Sequence, residues 1–243
     1  MNRPKRYQKN VSAKQKYQAY ENVFDESTLS GLHKLSGQGY FEDLKSPIKI
    51  GKEANVFTAT KGDGLVVVKI YRKSDNFKKM YDYMAPDPRF AGLKRNKVYV
   101  IYTWAKKEYR NLLRARSVGV KVPTPYAVYK NILVMEYIGG KQPAPQLNRH
   151  FPTEPELFYE TLIKDVIKLY LEAELVHADL SEFNILNQDD KPVMIDFSHA
   201  VDLKYPNVKD LLRRDIGIIV KYFKKLGVKL DEDKEFERCI SKK

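Results

Sequence analysis

The stretch LVHADLSEFNILNQDDKPVMIDFSHAV, residues 175–201, constrains this chain more than any other. It sets His177, Asp179, Asn184 and Asp196 within a span of 20 residues, separated by apolar side chains. Two carboxylates and an amide carbonyl arriving from a loop and an adjacent strand are hard oxygen ligands. Mg²⁺ accepts such ligands alongside phosphate oxygens and water. ILNQDDKPVMID reads as a hairpin that presents Asp196 opposite Asn184, with VMIDFS as a short buried strand.

The pattern H-x-D-L-x-x-x-N, followed by an apolar strand ending in Asp, matches the catalytic loop and metal-binding aspartate of protein kinases. Asp179 falls on the base that receives the acceptor proton, and Asn184 and Asp196 fall on the metal ligands. His177 is expected to pack against the loop of the second aspartate and to take no part in chemistry. The remaining parts of a phosphoryl-transfer site are sought upstream. VVVKIY places Lys69 near the end of a strand, where it resembles the lysine that contacts the α- and β-phosphates. Glu108 lies on a helix downstream, and a carboxylate on a buried face wants a cation, so the two are expected to pair. GKEANVF, residues 51–57, is the expected phosphate-covering turn, with Gly51 and Lys52 near the triphosphate. It has one glycine and lacks the Gly-Lys-Ser/Thr segment of a Walker A loop.

Around these motifs the chain divides into an expected flexible basic arm over 1–22, an N-lobe over 23–139 and a C-lobe over 140–243. The arm carries six Lys/Arg before its first acid, Glu21. Asp25 or Ser27 is placed to cap a short helix bearing Leu29, Leu32 and Leu35, which SGQGY stops. IKIGKEANVFTATKGDGLVVVKIY alternates about GDG as a β-hairpin. Residues 73–97, polar, basic and broken by Pro86 and Pro88, predict a partly mobile excursion, with order resuming near Val98. WAKKEYRNLLRARSVG has helical spacing and ends at Gly119. The Gly-Gly pair after ILVMEYI marks the lobe boundary near 140. Thr153 and Glu156 form a candidate capping box for a long amphipathic helix, and VKDLLRRDIGIIVKYFKKLGV reads as a last helix.

The balance of 44 Lys+Arg against 31 Asp+Glu gives a formal charge of +13. A field of that sign favours polyanions, nucleic acid among them. A single cysteine, Cys239, excludes an intrachain disulfide framework and a cysteine-based zinc site, which fits a reducing cytoplasm. No apolar run approaches the length of a membrane span.

GKEANVF, VVVKIY, WAKKEYRNLLRA, VPTPYAV, ILVMEYIGG, LVHADLSEFNIL and VMIDFSHAV, in that order over roughly residues 24–225, resemble the RIO family of atypical protein serine kinases, type-1 subfamily, in an archaeal-sized form. The resemblance implies an α+β fold: a trimmed two-lobed kinase with a β-sheet and helix in the N-lobe and a mainly helical C-lobe. It implies ATP with Mg²⁺ or Mn²⁺, phosphorylation of serine on a protein substrate or on the chain itself, and a partner in the small ribosomal subunit precursor and its RNA. Asp179 becomes the catalytic base, Asn184 and Asp196 the metal ligands, and Lys69 the phosphate contact paired with Glu108. Gly51, Lys52 and Val56 cover the nucleotide, and Met135, Glu136 and Ile138 form the adenine-facing strand. In this family the residue matching Asp196 is also thought to accept phosphate, which would make the protein an ATPase switch as well as a kinase.

DFS stands where kinases usually carry DFG, and the 47 residues after Asp196 are too few for an activation segment and a peptide-docking platform. Two other readings share the motifs. A small-molecule phosphotransferase of the aminoglycoside or choline type would need extra helices for its substrate. A ribosome-binding scaffold with a nucleotide switch would use the arm and clusters such as KRNK on phosphates.

Overall fold

The computed structural model describes residues 24–74 and 76–241, so the expected basic arm lies outside the described residues. Helix α1 (Glu26–Gly37) begins where the Asp25 carboxylate accepts the Thr28 N–H at 2.8 Å. It ends ahead of Gly39, whose φ of 78° is left-handed. Strands β1 (Leu44–Ile50), β2 (Ala54–Lys61) and β3 (Gly64–Tyr71) follow. Lys61 pairs with Gly64, so the hairpin turns on Gly62 and Asp63, and Gly62 supplies the positive φ of 55°.

With β4 (Pro125–Tyr129) and β5 (Ile132–Glu136) these strands form one sheet in the order β1-β2-β3-β5-β4. Alternation divides its faces. Phe57, Val66, Val68, Ile70 and Val134 pack with Leu32 and Leu35 of α1. Val56 pairs with Lys69 and Lys69 with Leu133, so these three side chains share the opposite face. That face is the one turned toward the remainder of the chain.

Residues 73–97 depart from expectation. They contain helix α2 (Phe77–Met84) and a 3₁₀ turn at Pro88–Phe90, and they lead into α3 (Lys97–Ser117). Met80 and Met84, four residues apart, are buried in one cluster with Val100, Ile101 and Trp104 of α3. A stripe that short carries little signal in a polar sequence, yet it suffices when a longer helix offers the complementary face. The side chain of Asn96 caps α3 at the Tyr99 N–H, 3.0 Å away.

After β5 the chain reaches α4 (Pro155–Leu171), then β6 (Leu175–Val176), β7 (Ile185–Gln188), β8 (Lys191–Met194), β9 (Val201–Asp202) and α5 (Val208–Lys225). The lobe boundary proposed near 140 falls in the connection between β5 and α4. The Thr153–Glu156 capping box is not formed. Glu154 holds the N-cap position without a side-chain bond, and the Thr153 N–H donates to Asp190 at 3.0 Å. Pro155 starts the helix instead, since it has no N–H to satisfy and its φ is preset. Nor is α5 the last helix, because α6 (Glu232–Ile240) follows and buries Phe236 and Cys239 three residues apart. VMIDFS is only in part a strand: β8 stops at Met194, and Asp196 leaves it with a left-handed φ of 63°. Residues from Leu112 to Cys239 share one core beneath the β7–β8 hairpin. Among the described residues no helix is long and apolar enough to cross a membrane.

Candidate active site

β3 delivers Lys69 to the cleft face and α3 delivers Glu108 against it. The Lys69 ammonium lies 2.9 Å from Glu108 Oε1 and 3.0 Å from Asp196 Oδ1. Glu108 is fully buried and also accepts the Tyr71 hydroxyl. Burial pushes the Glu108 carboxyl up to about 7, against the pull of Lys69. Burial alone would lower Lys69, but Asp196 and Glu108 outweigh it and hold the ammonium charged above the ordinary lysine range.

Asp196 is the more open member, its side chain 33% exposed. Burial would raise its carboxyl, yet Lys69 and the hydrogen bonds from Lys69 and Ser198 prevail and keep it far below the usual carboxylate range. The Ser198 Oγ donates to Asp196 Oδ1 at 2.8 Å, so the serine of DFS is a ligand to the aspartate two residues before it.

The loop between β6 and β7 faces this carboxylate. Asn184 Nδ2 donates to the Asp179 carbonyl at 2.8 Å and to its carboxylate at 3.0 Å. With the amide nitrogen turned to Asp179, the oxygen of Asn184 is left for another partner. The Ile195 N–H donates to the Asn184 carbonyl at 2.9 Å, which joins the two expected metal ligands through the backbone. Asp179 itself is half exposed, and its carboxyl is raised by partial burial and by Asp196. His177 sits under the same turn, its Nε2 3.0 Å from the Ile195 carbonyl and its ring edge-on to Phe197. Burial holds it neutral, with a pKa near 4, so Nε2 carries the hydrogen and donates.

The remaining expected residues lie on β2, on β5 and in the segments beside them. Gly51 sits where the turn closes on itself: its N–H bonds the Ala54 carbonyl at 3.0 Å, and a Cβ would stand 2.8 Å from that oxygen. Lys52 is exposed beyond it and is not brought against the carboxylates. Val56 is half-buried beside Lys69 in register. On β5, Met135 pairs with Val67, while the Glu136 N–H is taken by the Thr124 carbonyl at 2.8 Å. The Ile138 carbonyl is taken by Ala144 at 2.9 Å.

Asp215 of α5 escaped the sequence reading. Its carboxylate accepts the Ala178 N–H at 2.7 Å and the Leu180 N–H at 3.2 Å, bracketing Asp179. Burial raises it to about 7 despite Arg214 alongside. The signal was available, since Asp215 stands on the apolar face between Leu212, Ile216 and Ile219, and a lone acid there needs donors.

Among the described residues no three His, Cys, Asp or Glu side chains cluster to hold a metal by themselves. The oxygen set of Asp196 and Asn184, with Asp196 ionised, fits a Mg²⁺ ion that shares its shell with phosphates and water. A five-stranded lobe with a buried Lys–Glu pair, set over a helical lobe that presents an Asp/Asn loop and a second Asp, defines a two-lobed kinase-like protein.

The RIO-domain family model matches residues 55–236. The RIO-type serine/threonine-protein kinase Rio1 of Haloferax volcanii is 38% identical over 91% of this chain and 77% of its own length. The Rio1 kinase of Methanocaldococcus jannaschii is 37% identical over 91% and 79%. Among solved structures, the Rio2 kinase–ADP/Mg²⁺–phosphoaspartate complex of Chaetomium thermophilum superimposes with a TM-score of 0.66 at 22% identity, over 86% of this chain and 65% of that one. At that identity the superposition bears on fold alone. The chain belongs to the RIO family, as a protein kinase of the Rio1 type.

Proposed function

We propose that this protein transfers the γ-phosphoryl group of ATP, with Mg²⁺, both to serine, its own included, and to water. The observation that carries the reading is the position of the Lys69 ammonium, within 3.0 Å of both Glu108 and Asp196. A lysine so fixed at the cleft is placed to take phosphate oxygens. Asp179, held by Asn184 and with its carboxyl raised by partial burial and by Asp196, suits a base that accepts the serine proton. Mg²⁺, when held by Asn184 and Asp196, would neutralise charge on the β- and γ-phosphates.

Asp196 stays ionised in this environment, the form an attacking carboxylate requires. In an aspartyl-phosphate route its oxygen bonds to the γ-phosphorus while the bond to the ADP oxygen breaks, and water later cleaves the acyl phosphate. The net charge of +13 supports a polyanionic partner, in this reading the RNA of the small ribosomal subunit precursor in the cytoplasm.

The test follows γ-labelled ATP with Mg²⁺ for wild type and Asp179→Ala, with and without small ribosomal subunits. Subunit-stimulated free phosphate identifies an ATP-driven maturation switch, and label on serine identifies a kinase. Equal turnover in Asp179→Ala refutes the assignment of the base.

A further inference from the structure

Asp196 lies at φ 63°, a left-handed conformation uncommon for a residue with a side chain, though aspartate adopts it more readily than most, and one that neighbouring contacts can fix. Side chains from elsewhere in the fold do this by taking the next four carbonyls in succession. Asn111 Nδ2 donates to Phe197 O at 2.9 Å and to Ala200 O at 2.8 Å. Lys107 Nζ donates to Ser198 O at 2.6 Å, and the Tyr83 hydroxyl donates to His199 O at 2.8 Å. Arg89 adds a second bond to Ala200 O at 3.2 Å.

Lys107 is the informative member of this set. It is 1% exposed, over the rings of Trp104 and Tyr83 at 5.1 and 5.3 Å. Burial, with Arg89 adding to it, drives its amine well below the ordinary lysine range. A methionine would fill the same apolar space without that desolvation. What the amine adds is its grip on the Ser198 carbonyl.

These groups reach the loop from few elements. Lys107 and Asn111 flank Glu108 on α3, so one helix holds both Lys69 and the Asp196 loop. Tyr83 and Arg89 come from the folded part of residues 73–97. Ordinary protein kinases control this region through αC and a phosphorylated activation segment, whereas here the chain runs from Asp196 directly into β9 and α5.

Resting on the reading of Asp196 as a metal ligand, we propose that Lys107, Asn111 and Tyr83 are positioning residues that take the place of an activation segment, fixing the left-handed Asp196 so that its carboxylate engages the metal–nucleotide complex. The residues act through the loop backbone and touch neither nucleotide nor metal. Their loss lowers the benefit of Mg²⁺ and spares nucleotide binding as such.

The experiment measures ADP affinity in EDTA and in Mg²⁺ for wild type, Tyr83→Phe and Lys107→Met, together with hydrogen exchange at residues 196–201. Tyr102→Phe, which loses a hydroxyl bonded to Ser27 at 3.0 Å on the same helix, is the control. Tyr83→Phe removes one oxygen atom and keeps the packed ring, so folding is preserved. The gain in affinity from Mg²⁺ falls about fivefold to tenfold in Tyr83→Phe and in Lys107→Met, as expected for the loss of one hydrogen bond each. Affinity in EDTA holds within about twofold in both, exchange at 196–201 quickens, and Tyr102→Phe behaves as wild type. A wild type that gains from Mg²⁺, with variants that gain equally, overturns the positioning role. A wild type with no gain at all refutes the metal assignment of Asp196 itself.

Discussion

The ammonium of Lys69 lies 3.0 Å from the carboxylate of Asp196, a contact between residues 127 apart in sequence that closes the cleft between sheet and hairpin. Lys69 thus carries two acids of different character, with Glu108 fully buried and Asp196 partly open. Removing either acid has a different consequence.

Asp196→Asn keeps the shape of the side chain and removes its charge. Lys69 retains Glu108, and a partly exposed ion pair contributes little, so unfolding free energy stays within about 1 kcal/mol of wild type. Mg²⁺-dependent ATP turnover falls by at least ~100-fold, the scale of losing charge stabilisation at the reacting centre. Turnover within tenfold of wild type would remove Asp196 from the site.

Lys69→Met leaves Glu108 buried without a cation, with the Tyr71 hydroxyl and the Phe197 N–H as its neutral partners. Breaking a buried pair in this way costs about 3–5 kcal/mol. The carboxyl, already near 7, rises further. A raised acid binds its proton more tightly folded than unfolded, so stability is lost as pH rises. Denaturation of Lys69→Met between pH 5 and 8 therefore shows a steeper decline than wild type, and Lys69→Met/Glu108→Leu removes both the decline and most of the penalty. Additive single and double variants would show the pair to be uncoupled.

Asp215→Ala leaves the Ala178 and Leu180 amides without their acceptor, at a cost of about 1–3 kcal/mol. Because those amides bracket Asp179, kcat falls more than KM rises, and hydrogen exchange at 178–180 quickens. Unchanged exchange there would show that Asp215 does not hold the loop.

His177 is neutral in the fold with a pKa near 4, below its ordinary 6.5. The unfolded chain therefore takes up its proton first, and this stability is present above about 6.5 and lost as pH falls toward 4. Glu108 and Asp215, raised to about 7, contribute with the opposite sign across the same window. The effect is read as a difference: wild type loses stability relative to His177→Asn by up to ~3 kcal/mol between pH 6.5 and 4. A constant difference across those pH values would place the His177 pKa at its ordinary value.

The order of the motifs was legible because each rests on local spacing. The β2–β3 hairpin follows from alternation about a glycine turn, α1 from an Asp cap and leucines three apart, and the β7–β8 hairpin from apolar runs around Asp189 and Asp190. These periods are properties of a few consecutive residues, and the two-lobed kinase of the RIO type came from the resemblance of the motifs that they frame. Other features were hidden for the same reason. α2 and α6 bury two residues each, too few to register as a period, and the Thr153–Glu156 box gave way to Pro155 and Asp190. What only the tertiary structure decided is which polar groups meet across long separations. Asp215 on the amides beside Asp179, and Lys107, Asn111 and Tyr83 on the 197–200 carbonyls are such meetings. A buried polar atom needs a partner, but sequence does not say which one, because that partner is chosen by how helices and sheet pack against each other.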